Sequence, residues 1–165
     1  DCLLSRGLGD VYKRQNCKRS EQEWFVRKSL EIGMVDAIFE NASDDMLDKM
    51  TQLNNRLINY KEEVENIPRI EIDNEFHKLI YECSGEKLAM NIIQTQMSHY
   101  NRIRYLAELN KSISAKTNDE HEMLIEAIKN KDKRMYLRVI KAHISRIFNE
   151  LDKLKGIYPE YFEKN

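Results

Sequence analysis

The clearest pattern in this chain is an apolar stripe at helical spacing. Met46, Met50, Leu53, Leu57 and Tyr60 follow one another at intervals of four, three, four and three residues. This period places all five on one face of a helix that packs against other helices. The 165 residues include only 5 Gly and 2 Pro, which leaves little material for tight β turns. The sequence therefore predicts an all-α fold.

Similar stripes and capping signals divide the rest of the chain into helices. The predicted helices span 21–41, 44–65, 69–83, 86–109, 117 to about 130, and 133–155. Phe25 is expected to face inward in the first of them, and Thr117 to begin the fifth through a capping box with Glu120. We expect one helical domain at 16–155, with a short tail at 156–165.

The segment 1–15 is treated separately because it lacks a sustained apolar period and does not begin with Met. The run from Asp10 to Gln15 resembles the read-through translation of a transposon-derived sequencing adaptor. We therefore expect 1–15 to be a non-native or disordered segment, and native sequence upstream of about Asn16 to be lost. The alternative is a natural, mobile N-terminal arm.

Charge and cysteine content exclude several classes of function. With 27 Lys and Arg against 28 Asp and Glu, the net charge is −1, so the chain lacks the basic footprint of a DNA-binding domain. Cys2, Cys17 and Cys83 are odd in number and form no CxxC pair, which argues against a disulfide framework and predicts a reducing cytoplasm. No apolar run reaches the length of about 20 residues that crosses a bilayer, so no membrane partner is expected.

Four side chains indicate a metal site. Asp73 and His77 are four residues apart and share one helical face, and His121 and His143 occupy inward positions on later helices. Each residue alone has a simpler interpretation, either as a core histidine or as a local salt bridge. Burying all four without compensation is costly, however, and a divalent cation would satisfy them together. Mixed nitrogen and oxygen ligands favour Zn, Ni, Mn or Fe(II) over copper(I).

The order and spacing of several short motifs resemble those of the FCD domain, the ligand-binding C-terminal domain of FadR-type regulators in the GntR family. The motifs are Arg27-x-x-Leu30-Glu31, Asp73-x-x-Phe76-His77, Glu120-His121 leading into Ile125-x-Ala127-Ile128, then Asp132 and His143-Ile144. The resemblance covers about residues 21–154. One departure is Gly85-Glu86, where the family commonly has Gly-Asn.

The resemblance implies an antiparallel bundle of six to seven helices. It also implies that Asp73, His77, His121 and His143 hold a metal at the floor of a cavity for small organic acids. Family proteins carry an N-terminal winged helix-turn-helix and act as homodimers on DNA. That module is absent from this chain, so any DNA binding would depend on a separate domain.

An effector carboxylate would be expected to contact the metal and an arginine, whose planar fork suits carboxylates. Arg102 is the first candidate because it continues a polar stripe through Thr95 and His99, which indicates a pocket wall or a wet interface. Arg27 and Arg104 come next. Their simpler interpretations are a surface pair with Glu31 for Arg27 and plain solvation for Arg104.

Two other classes of function stay open. A helical-bundle metalloenzyme would need a general base, for which Glu120 or Glu75 is available, but no HExxH motif is present. A metal-free helical interaction module would make the inward histidines purely structural. We expect a sensor domain and not an enzyme.

Overall fold

The computed structural model describes residues 16–62, 64–65, 67–109 and 111–163, with backbone only at 111–115. The helices are α1 (Cys17–Gly33), α2 (Val35–Asn41), α3 (Asp44–Ile58), α4 (Arg69–Ser84), α5 (Lys87–Thr95), α6 (Ser98–Glu108), α7 (Lys111–Lys129), α8 (Lys133–Asn149) and α9 (Leu151–Ile157). A 3₁₀ turn follows at Pro159–Tyr161. The all-α prediction is confirmed. The segment 1–15, including Cys2, lies outside the described residues.

Local sequence signals determine several helix ends. The side chain of Ser43 accepts a hydrogen bond from the backbone N–H of Met46 at the start of α3, and Asp132 does the same for Met135 at the start of α8. Gly85 ends α4 with a φ of 73°, a left-handed conformation that glycine adopts without a Cβ clash. These ends agree with the sequence-based predictions.

Other boundaries were predicted wrongly. The single helix predicted over 86–109 divides at Gln96 and Met97 into α5 and α6, and the capping box at Thr117 does not form because α7 already begins at Lys111. The break before α6 has a tertiary cause. The carboxylate of Glu23, on α1, accepts a hydrogen bond of 2.8 Å from the backbone N–H of Tyr100 in the first turn of α6.

The helices pack around one apolar core that also surrounds the predicted ligands. Helix α7 packs against α8 and α3, α3 packs against α4, and α1 packs against α6 and α8. Fully buried side chains of this core include Met50, Phe76, Ile80, Ile103, Leu124, Tyr136 and Ile140. In the part of the chain described, no helix has the length and apolar character needed to span a bilayer.

The inward face of α1 is polar, contrary to the prediction. Phe25 is 66% exposed, whereas Ser20, Glu23, Arg27 and Glu31 form the buried row of this helix. Spacings of three and four residues give the polar row the same period as an apolar stripe. Partners on other helices, such as the N-terminus of α6, compensate its burial.

Candidate metal centre

The four predicted metal ligands lie near one another where side chains of α4, α7 and α8 converge. Asp73 and His77 come from α4, one turn apart, and His121 and His143 come from α7 and α8. One ligand atom from each histidine can be chosen so that all three lie within 4.8 Å of one another. We call Asp73, His77, His121 and His143 the ligand cluster.

The contact distances show which atoms converge. The Nε2 atoms of His77 and His143 are 3.0 Å apart. Nε2 of His121 lies 3.4 Å from Oδ1 of Asp73, and Nε2 of His77 lies 4.0 Å from Oδ2. The three histidines therefore form a group that could hold a divalent ion, and the carboxylate of Asp73 lies beside His77 and His121 at its edge.

Several of these atoms are buried without a hydrogen-bond partner among the described residues. The atoms without a partner are both ring nitrogens of His121, Nδ1 of His77 and Oδ1 of Asp73. Asp73, His77 and His121 are at most 3% exposed. Because buried polar atoms in native proteins are nearly always paired, the orphaned Oδ1 and Nε2 atoms fit a bound divalent cation.

Burial also sets the charge state of the cluster. It lowers the pKa of His121 to about 3 and that of His143 to about 4, although the negative charge of Asp73 acts in the opposite direction. Burial favours a raised pKa for Asp73, but the Arg104 guanidinium and the imidazoles outweigh it and hold this pKa well below its usual range. At neutral pH the cluster thus offers neutral imidazoles and an ionised carboxylate, the forms that bind metals.

An aromatic ring supports the imidazoles from the core side. The ring of Phe76 stacks on that of His121 with centroids 3.9 Å apart and planes 11° apart. The same ring meets His77 edge-on at 5.7 Å. Phe76 is completely buried, so it restricts the orientations that both imidazoles can adopt.

Charged groups flank the cluster. Arg104, from α6, donates a hydrogen bond to Oδ2 of Asp73, which leaves Oδ1 directed at His121. Glu120 accepts a hydrogen bond of 2.8 Å at Oε2 from Nδ1 of His143, and its other oxygen contacts Arg146. Asp73 and Glu120 therefore each have an arginine partner.

A cavity of about 40 Å³ opens beside the cluster. It is lined by Arg27, Asp73, Tyr100, Arg104, Ala107, Glu108, Thr117, His143, Arg146 and Ile147. A single water needs about 10–15 Å³ of such volume, so the cavity holds only a few waters. Three arginines and two carboxylates lie in its wall, and each arginine is paired with a carboxylate: Arg27 with Glu31, Arg104 with Asp73 and Arg146 with Glu120.

The predicted effector contacts divide into two groups. Arg27 and Arg104 lie in the cavity wall, whereas Arg102, Thr95 and His99 do not. Arg102 donates a hydrogen bond of 2.8 Å to Nδ1 of His99 instead, and Thr95 is exposed on α5. The polar stripe that pointed to Arg102 is interrupted by the break between α5 and α6.

Sequence reasoning missed a buried network that holds Arg27 in the cavity wall. Nε of Arg27 donates to Glu31 at 2.6 Å, and Nη2 donates to the hydroxyl of Tyr81 at 3.1 Å. The hydroxyl of Tyr81 in turn donates to Glu31 at 2.6 Å. The spacing of Arg27 and Glu31 indicated a pair, but nothing in the sequence places Tyr81 opposite them. Arg146 was missed for the same reason.

Comparison with known families adds an independent finding. A family model described as the FCD domain matches residues 24–146 of the chain. The matched range contains the whole ligand cluster together with Arg27, Arg104, Glu120 and Arg146. No curated protein matches the chain.

Proposed function

Because this chain belongs to the FCD domain family, as its motifs predicted, we propose that it is the effector-sensing domain of a GntR-type transcription regulator. In this proposal the domain binds a divalent metal and a small organic acid, and binding alters the DNA affinity of a winged helix-turn-helix carried elsewhere. The single observation that supports the metal most strongly is the convergence of orphaned, buried atoms of Asp73 and His121 beside two facing imidazoles.

The proposed metal is Zn, Ni, Mn or Fe(II), held by Asp73, His77, His121 and His143. Neutral nitrogen donors with one carboxylate suit borderline divalent ions. The metal would supply a Lewis-acidic position for an effector carboxylate when one is bound. The protein's own part is to hold the imidazoles neutral and the carboxylate ionised, which burial and Arg104 do.

The proposed effector is a small carboxylate that contacts Arg104 and Arg27 in the cavity wall. Arg104 and Arg27 lie beside the cluster, so one carboxylate could take a guanidinium contact while it faces the metal. The cavity holds only a few waters, so an organic acid requires side chains of its wall to move. The sequence pointed first to a polar stripe of effector contacts. Its residues would contact the effector only if the effector extended beyond this cavity; they are Arg102, Thr95 and His99.

The proposed output is a change in the geometry of a homodimer. A ligand shifts an equilibrium only by its differential affinity for two states, so the effector must prefer one dimer geometry. Arg27 could couple the effector to the position of α1, because its guanidinium lines the cavity and its backbone is part of that helix. An operator titration of the full-length regulator that no carboxylate changes would contradict this proposal.

The first test is the metal content of the purified chain, measured by elemental mass spectrometry. We expect about one equivalent of a transition metal in the wild type and a loss of it in His121→Ala. His99→Ala is the matched control, because His99 is the remaining histidine and lies outside the cluster. Absence of metal from the wild type after incubation with Zn, Ni and Mn would mean that the histidines are structural.

A further inference from the structure

His143 differs from the other histidines of the ligand cluster in the bond made by its outer nitrogen. Its Nδ1 atom lies 2.8 Å from Oε2 of Glu120, across the interface of α8 and α7. The Nδ1 atoms of His77 and His121, in contrast, have no partner within the described ranges. One histidine of the three is therefore oriented by a carboxylate.

This bond selects one form of the neutral imidazole. A carboxylate can only accept a hydrogen bond, so Nδ1 of His143 must carry the proton and Nε2 must carry the lone pair. That lone pair points toward Nε2 of His77, at 3.0 Å, where the ligand atoms converge. The bond to Glu120 thus leaves the Nε2 atom of His143 unprotonated, which is the state that a metal requires. The negative charge of Glu120 also makes this Nε2 atom a better metal ligand.

Glu120 is itself held in place. Its second oxygen contacts Arg146, one turn of α8 beyond His143, so the carboxylate bridges two side chains of the same helix. Arg146 also donates to the hydroxyl of Thr117 on α7, at 3.4 Å. The side chains of Glu120 and Arg146 are 19% and 12% exposed, so water competes only weakly for these contacts.

We propose that Glu120, held by Arg146, is a positioning residue for metal binding through His143. This inference rests on the metal site of the proposed function and adds to it a residue that does not touch the metal. Glu120 fixes the orientation and tautomer of His143 before the metal arrives. Loss of its charge therefore weakens metal affinity without removing a ligand.

The test compares Glu120→Gln with Glu122→Gln, which removes the same charge from an exposed position two residues along α7. Zinc affinity is measured by chelator competition, and the melting temperature is measured on protein freed of metal. We expect Glu120→Gln to bind zinc about 10- to 100-fold more weakly than the wild type, the range found for residues that orient metal-bound histidines. Glu122→Gln should match the wild type, and all three metal-free proteins should melt at similar temperatures.

Three outcomes would overturn the inference. In the first, the wild type binds zinc and Glu120→Gln binds it equally well, which leaves the proposed metal site standing. In the second, zinc affinity and metal-free melting temperature fall together, which makes Glu120 a general structural residue. In the third, the wild type binds no zinc, and the proposed metal site fails with the inference.

A second variant decides the case in which Glu120→Gln does not fold. Arg146→Lys keeps the positive charge but loses the planar fork that holds the carboxylate. We expect it to weaken zinc binding by a smaller factor than Glu120→Gln and to leave the metal-free melting temperature unchanged. Unchanged zinc affinity in a folded Arg146→Lys protein would contradict the role assigned to the pair.

Discussion

The Nε2 atoms of His77 and His143 face each other at 3.0 Å, although the two residues come from helices α4 and α8 and are 66 positions apart in the chain. Two neutral imidazoles in this position need a proton between them, or a cation that both can ligate. Oδ1 of Asp73 and Nε2 of His121 lie 3.4 Å apart beside this pair and have no hydrogen bonds among the described residues. Their lack of partners favours a shared cation over a shared proton.

Metal should stabilise the folded protein through His143. A ligand that binds only the folded state adds about 4 kcal/mol when its free concentration is a thousand times its Kd. We expect a clear rise in melting temperature when zinc is added to the chelator-treated wild type, and no rise for His143→Ala. His99→Ala should respond like the wild type in the same thermal scans. An equal response of His143→Ala would place the bound metal elsewhere.

Acid should destabilise the metal-free protein in a defined window. Burial lowers the pKa of His121 to about 3 and of His143 to about 4, whereas an unfolded histidine titrates at about 6.5. Between these values the unfolded chain binds more protons than the folded one, so the free energy of unfolding decreases as the pH falls. The slope approaches about 1.4 kcal/mol per pH unit for each such histidine.

Urea unfolding of chelator-treated protein between pH 7 and 4.5 measures this slope. His143→Gln is the matched variant, because it removes one of the titrating groups and should flatten the dependence. A free energy of unfolding that stays constant over this range would show that these histidines titrate normally in the folded state.

Arg104→Gln should destabilise the metal-free protein and enlarge its response to metal. The substitution leaves the buried carboxylate of Asp73 without its guanidinium partner, a change that typically costs about 3–5 kcal/mol. A bound cation would replace the lost charge, so the melting temperature should rise more on zinc addition than in the wild type. Arg56→Gln, in an exposed pair with Glu65, is the control and should change neither quantity much.

Carboxylate binding should distinguish Arg104 from Arg102. Arg104 lies in the cavity wall and Arg102 does not. In calorimetric titrations of zinc-loaded protein with a panel of mono-, di- and tricarboxylates, Arg104→Lys should lose about tenfold or more in affinity for any acid that binds, because lysine lacks the planar fork. Arg102→Lys should bind as the wild type does. The reverse order would move the effector site to the α5–α6 break.

The cap of α8 should affect stability without affecting the metal. Asp132 accepts a hydrogen bond from the backbone N–H of Met135 at 2.8 Å, eleven residues before His143. Asp132→Ala should lower the free energy of unfolding by about 1 kcal/mol. Zinc affinity should be unchanged, because the cap does not touch the cluster. A parallel loss of zinc affinity would show that the start of α8 and the metal site are coupled.

Local patterns were sufficient where the physical cause is local. The helical period of α3 and α4, the caps at Ser43 and Asp132 and the left-handed Gly85 all depend on residues within about one turn of one another. The same holds for Asp73 and His77, which share a helical face by spacing alone. The ligand cluster could therefore be assembled from four inward positions and a family resemblance.

The failures have tertiary causes. Phe25 was placed inward because it is apolar, yet α1 buries a polar row whose partners, such as Tyr81 and the backbone of Tyr100, are distant in sequence. The same contact with Glu23 starts α6 where the pattern predicted an unbroken helix. Arg102 was preferred on the same pattern; it does not line the cavity, and its contact with an effector stays a prediction.

Sequence patterns alone were enough for the all-α class and the family, and they pointed to four inward residues that the structure brings near one another, whose role as metal ligands stays a prediction. The packing of the helices had to be known to see which arginines line the cavity, how small that cavity is, and that Glu120 contacts His143. The difference lies in how far along the chain the interacting residues are from each other. Helical period and capping act between neighbours in the chain, whereas the partner of a buried charge is chosen by the packing of helices that lie far apart in sequence.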